Sequence, residues 1–240
     1  MAHPRMTLSR RITSLIACGV AVFSIQTASA HQFWIERTEG KFIVRFGHTG
    51  SKDEKAGYEK SPGALDKLQG VSTWTQFPEQ SGSSPEIYKV KNEEDGFSVE
   101  EAPAKLPFLA QGAFPVRKWA GKDGKPDISS YTTAFARWQP ATAEAKPVTT
   151  LDLLPSTEKG KATLYFKGKP LAGHKVTLFA SNLESASLET DAQGVVSIPA
   201  DAKGDVILWA HHSEPAEGTF LGSSYNSLGY TITLSYKFND

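Results

Sequence analysis

The side chains in this sequence best suited to chemistry are its histidines. Beyond residue 30 there are five, His31, His48, His174, His211 and His212, and no cysteine, because Cys18 is the single one in the chain. Without a thiolate, transition-metal chemistry in residues 31–240 must rest on imidazole, which suits Ni, Co, Cu and Zn. His31 has a second resource. It follows Ala28-Ser29-Ala30, a small-x-small pattern typical of signal-peptidase cleavage. A chain cut there begins with His31 and offers one ion both an α-amine and an imidazole.

The expected leader is residues 1–30: Arg5, Arg10 and Arg11, then a mostly apolar run from Ile12 to Ile25. That run is short of the roughly 20 apolar residues a membrane span needs. Leu15-Ile16-Ala17-Cys18 resembles a lipoprotein box, but its apolar lead is short. The reading is therefore a periplasmic protein, cleaved after Ala30 and not membrane-embedded afterwards.

Cleavage would remove three of 26 basic residues and none of 26 acidic ones, leaving 23 − 26 = −3. That balance is no footprint for nucleic acid. Catalytic signatures are also missing: no Gly-x-Ser-x-Gly elbow, no Walker loop in "GKDGKPD", and no regular acidic series of a calcium loop. The chain is expected not to be an enzyme.

A second histidine can be placed beside His31 by register. If "TEGK" is a two-residue hairpin with Glu39 and Gly40 at its tip, paired residue numbers sum to 79. Ile35 then faces Val44, Phe33 faces Phe46, and His31 faces His48, all on one side of the hairpin. Opposed Cβ atoms lie about 4.5–5.5 Å apart, and metal–nitrogen bonds are about 2.0–2.1 Å, so both imidazoles can reach one ion.

His211 and His212 end the strand "DVILWAHH" and must point to opposite faces, so either one can supply a further ligand. Glu214 and Glu217 follow and could orient an imidazole from behind. His174, in a turn after "PLAG", is expected at the surface.

Elements of period two must position these residues. "QFWIE", "KFIVRF", "VSTWTQF", "EIYKVK", "YTTAFARW", "KATLYF", "KVTLFAS", "GVVSIP", "DVILWA" and "GYTITLSYKF" read as strands, with Gly-containing turns between them. The fold class is all-β, with two β-sandwich-like domains. The Pro/Ala/Thr-rich stretch near residues 140–158 divides an N-terminal domain, 31–155, from a C-terminal one, 156–240. A short helix is expected around Pro62–Leu68. The Gly- and Pro-containing segment Lys105–Asp127 reads as long loops.

Two resemblances follow from longer motifs. "YFKGKPLAGHKVTLFAS", "LETDAQGVVSIP" and "GDVILWAHH" resemble the transthyretin-like or carboxypeptidase-regulatory type of immunoglobulin sandwich. Over residues 30–236, "AHQFWIE", "FGHTG", "LDLLP" and the closing "SYNSLGYTITLSY" are similar to a family of exported bacterial proteins linked to nickel and cobalt uptake. That likeness implies metal handling through His31, His48 and the His211-His212 pair. It also implies delivery to a membrane transporter or outer-membrane receptor. Many relatives carry an acidic residue soon after the G-H-x-x-G segment, whereas here Ser51-Lys52 precede Asp53 and Glu54.

The leading expectation is thus a periplasmic protein that binds Ni or Co, with Cu or Zn as other candidates. One alternative is an exported binding module with incidental histidines. Another is a copper histidine-brace enzyme, which needs a T-shaped arrangement of three nitrogens.

Overall fold

The computed structural model describes residues 31–49, 57–61, 63, 65–76, 84–100, 102–103, 105–121, 124, 126–140 and 146–238. The expected leader, its cleavage point, Asp53 and Glu54 lie outside the described residues. From the N-terminal side the strands are β1 (Gln32–Thr38), β2 (Lys41–His48), β3 (Gly57–Tyr58), β4 (Gln69–Thr75), β5 (Glu86–Tyr88) and β6 (Lys91–Glu93). There follow β7 (Gly96–Val99), β8 (Phe108–Trp119), β9 (Ile128–Trp138), β10 (Leu151–Pro155), β11 (Lys161–Phe166) and β12 (Lys169–Pro170). The last are β13 (Lys175–Ala180), β14 (Leu183–Glu189), β15 (Val195–Ser197), β16 (Gly204–Phe220) and β17 (Ser223–Phe238). Where a short helix was expected, the described residues form a 3-10 turn, Leu65–Lys67, with Asp66 accepting from Ser61 Oγ and Gly63 N. The class is all-β, as the alternation indicated.

The strands make three sheets. One runs β1-β2-β7-β6 with β3 added to β2; one runs β10-β11-β12 with β15 on β11; the third has eight strands, β14-β13-β16-β17-β9-β8-β4-β5. In the large sheet β17 lies parallel to β9, with Ile232 opposite Phe135 and Thr233 opposite Ala136. Those two neighbouring pairs face opposite ways. Ile232 and Phe135 join a core with Val176, Leu178, Leu208, Leu151 and Leu164. Ala136 joins a different core with Phe33, Ile35, Phe42, Val44, Phe46 and Phe108, while Thr233 Oγ1 donates to the Phe33 carbonyl at 2.7 Å. The eight-stranded sheet is therefore shared, with the β1–β2 sheet on one face and the β10–β11 sheet on the other. Each fully buried aliphatic or aromatic side chain adds about 1.5–3 kcal/mol of transfer free energy. The alternation of β1 and β2 is what aims one row of side chains at the large sheet.

The segment expected to be loops is corrected: Phe108–Trp119 is a twelve-residue strand. Its glycine and proline both lie inside the strand. Gly112 lies within the packed layer, where a Cβ would meet Phe33, Leu68 and Val71 at an ordinary contact distance of 3.6 Å. Pro115 falls in the irregularity between Phe114 and Arg117, where the ladder needs no N–H.

Three hairpin turns carry a non-glycine residue at positive φ before a glycine: Glu39-Gly40, Lys167-Gly168 and Leu221-Gly222. This is type I′ geometry, which suits the strand twist but strains a side-chain-bearing first residue. Leu221 has φ 47 and is 72% exposed, so its side chain gains little from packing. Leu221→Asn is expected to raise stability by about 0.5–1 kcal/mol, the strain relief available to Asn at such a position. Urea unfolding checks it.

Candidate functional site

The N-terminal hairpin adopts the register read from its turn. Thr38 pairs with Lys41, Ile35 with Val44, Phe33 with Phe46 and Gln32 with Gly47. One step further, His31 meets His48: their ring centroids are 4.3 Å apart and the planes are inclined at 42°. His31 also stacks on Phe46 at 5.2 Å, and Phe46 rests on Phe114 of β8 at 5.2 Å. An aromatic floor thus supports the histidine pair at the rim of the N-terminal core. Behind the pair, Gln32 Oε1 accepts from Thr49 N at 3.1 Å, pinning the chain as it leaves β2.

A third group reaches this rim that the sequence did not single out. β3 crosses the end of β2, pairing Gly47 with Tyr58 and His48 with Gly57. Glu59 N then donates to the Phe46 carbonyl at 2.9 Å, and the Glu59 carboxylate hydrogen-bonds His31 Nε2. With Nε2 as the donor, Nδ1 keeps its lone pair, and it is the ring nitrogen that can chelate together with the backbone nitrogen of the same residue. A carboxylate behind a ligating imidazole is a recurrent way of fixing tautomer and ring orientation.

Gly47 makes this crossing possible. Its φ is 144°, and a Cβ there would stand 2.2 Å from the Gly57 carbonyl oxygen and 3.1 Å from Glu59 N. Gly47→Ala should therefore displace β3, costing about 1–3 kcal/mol as strain at an unfavourable backbone conformation. The expected signature is a lowered urea midpoint together with loss of the Glu59–His31 hydrogen bond, read from the His31 imidazole nitrogen shifts.

The C-terminal histidines form a separate group. His212 follows Val206, Leu208 and Ala210 on the face of β16 that builds the C-terminal core, and it pairs with Tyr230. Its ring lies 4.3 Å from Phe166 and 5.4 Å from His174. His211 points the other way, with its ring 6.5 Å from Trp209. His174 was expected at the surface; its Nε2 lies 2.8 Å from the His211 carbonyl oxygen and donates to it. His212 thus sits on the opposite face of the large sheet from His31 and His48. The structure joins the first two expected ligands to each other and His212 to His174.

Burial lowers the pKa of His212 below the ordinary histidine value, and the charge of His174 adds to this, with Glu214 opposing. His211 shifts the same way, from burial, His212 and His174. Its outer surface is open to solvent, where water screens such effects. Glu214 is held below the usual carboxylate range by Lys167, which contacts both of its oxygens at 2.9 Å. Tyr230 donates to Glu214 at 3.1 Å, and burial with that carboxylate pushes its phenol up to about 12.

At metal–nitrogen bonds of about 2.0–2.1 Å, two imidazoles at a right angle on one ion have ring centroids about 4.5 Å apart, and two on opposite sides about 6 Å. The His31–His48 separation matches neighbouring positions rather than the opposed ones of a T-shaped copper brace. Among the described residues no three His, Cys, Asp or Glu side chains gather around a point that could hold an ion. Among the described residues, the nitrogen that could join the first pair is the backbone nitrogen of His31, as a free α-amine. No family model matches the chain, and the comparisons with curated proteins and with solved structures found no match.

Proposed function

We propose that the mature protein is a periplasmic metal-binding protein. It captures a late first-row divalent ion, with Ni or Co favoured, and hands it to an uptake system. The observation that carries this reading is the apposition of His31 and His48 at 4.3 Å, with Glu59 behind His31. The ligands would be the His31 α-amine, the His31 imidazole and the His48 imidazole. The amine becomes available only if the chain is cleaved after Ala30, so export and assembly of the site are one event. The resemblance to exported nickel- and cobalt-linked proteins points the same way, including a membrane transporter or receptor as recipient.

Nitrogen donors without thiolate suit Ni and Co, and also Cu and Zn. An open, three-nitrogen set at a strand end leaves coordination positions for water or for a recipient's ligand, as a carrier needs. The test is calorimetric titration of the chain beginning at His31 with Ni(II) and Co(II). One tight ion per chain, lost in His48→Ala, supports the reading. No uptake, or uptake indifferent to His48→Ala, overturns it.

A further inference from the structure

We propose that His174 and His212 form a second transition-metal site, independent of the N-terminal pair and weaker than it. Three features of the C-terminal sandwich lead there. First, the two rings are placed as co-ligands: their centroids are 5.4 Å apart with planes at 59°. Two imidazoles subtending about 110–120° at an ion stand about 5–5.5 Å apart, at bonds of about 2.0–2.1 Å.

Second, His174 is held in one tautomer. Its Nε2 donates to the His211 carbonyl at 2.8 Å, so Nδ1 carries the lone pair. Its backbone is fixed as well: His174 N donates to Thr190 Oγ1 at 2.9 Å, and Thr190 Oγ1 donates to the Leu171 carbonyl at 2.7 Å. A ligand prepared in this way loses little freedom on binding.

Third, His212 is oriented by the Phe166 ring 4.3 Å away, and Glu214 lies two residues on, on the same face of β16. The Glu214 carboxylate is anchored by Lys167 and Tyr230. The Lys167 ammonium offsets much of its charge beside the pair, so the imidazole nitrogens are the donors that matter. Two imidazoles with a nearby carboxylate suit Cu(II) best and Ni(II) or Zn(II) less, following the usual order of stabilities. His212 stands on the far side of the large sheet from His31, so this site shares no ligand with the one proposed above and does not depend on it.

Cu(II), the tightest binder of the series, is the probe. The chain beginning at His31 should take up two Cu(II) ions, the second at least about 10-fold more weakly than the first. His212→Ala and His174→Ala should each remove the weaker event and leave the tighter one. A chain carrying one extra residue before His31 should keep the weaker event. In that extended chain with His48→Ala added, so that the N-terminal hairpin keeps one imidazole, pulsed electron paramagnetic resonance should count two imidazoles on the bound Cu(II), a reading that needs no substitution in the sandwich. A single ion in the mature chain, a second ion unaffected by either substitution, or fewer than two imidazoles in the extended chain with His48→Ala overturns the proposal. If the N-terminal reading alone is wrong, the tight event is missing while the two-imidazole signal persists.

Discussion

One extra residue before His31 should weaken capture of Ni(II) at the N-terminal site by about 100-fold or more, equivalent to roughly 2.7 kcal/mol or above. The reason is electronic. A free α-amine has a lone pair for the ion, whereas the amide nitrogen that replaces it shares its lone pair with a carbonyl. The extension takes away one of three proposed nitrogen ligands and breaks the chelate that joins amine and imidazole in one residue. The fold should be unaffected, because the β1–β2 ladder begins at Gln32 and the core contacts begin at Phe33. Competition against a chromophoric chelator measures the affinity, and an unchanged far-ultraviolet spectrum verifies the fold. Equal affinity in extended and mature chains would remove the amine from the site.

The largest effect on stability is expected at Asp152. Its side chain and that of Arg137 are both 0% exposed. Arg137 Nε donates to Oδ1 at 2.9 Å and Nη2 to Oδ2 at 2.7 Å, a two-pronged pairing between β9 and β10. Asp152 also accepts from Val148 N at 2.9 Å and Leu153 N at 3.0 Å, while Arg137 Nη1 donates to Gln76 and Gln139. Every polar atom of the pair thus has work to do where the chain passes from one core to the other. Asp152→Ala leaves a buried guanidinium without its counter-charge, which costs about 3–5 kcal/mol. Replacing both partners with apolar residues, Arg137→Met with Asp152→Leu, should cost less than the single change, because no charge is then stranded. Urea denaturation of the three variants checks the order. A double variant as unstable as Asp152→Ala would show that the backbone hydrogen bonds matter more than the ion pair.

The parts of the site legible in the sequence were those set by local rules. A two-residue turn and a period of two were enough to place His31 opposite His48, since every step of β1 and β2 follows from its neighbour. Glu59 lay beyond such rules. It arrives through β3, which follows the segment 50–56, and its placement depends on a pairing between backbones rather than on any side-chain pattern. The clue available was Gly47, a bare position where β3 crosses β2 within contact.

Longer-range features were less accessible still. The parallel pairing of β17 with β9 joins residues about a hundred positions apart. It puts His212 on the opposite face from the N-terminal pair, which no local alternation could reveal. β8 was obscured by Gly112 and Pro115, residues that usually punctuate loops but here lie inside a strand, the proline at a break in the ladder. His174 looked like an ordinary turn residue, because its partner, the His211 carbonyl, belongs to a strand 37 positions away.

X-ray absorption at the nickel edge, on the mature chain loaded with one Ni(II), tests most directly whether His31 and His48 hold the ion together. Two imidazoles should show in the multiple-scattering pattern, with His48→Ala reducing them to one and the extended chain losing the short amine contribution. A loaded protein whose spectrum shows no imidazole, or is identical in His48→Ala, would place the ion elsewhere and end the case for a metal carrier built on this hairpin.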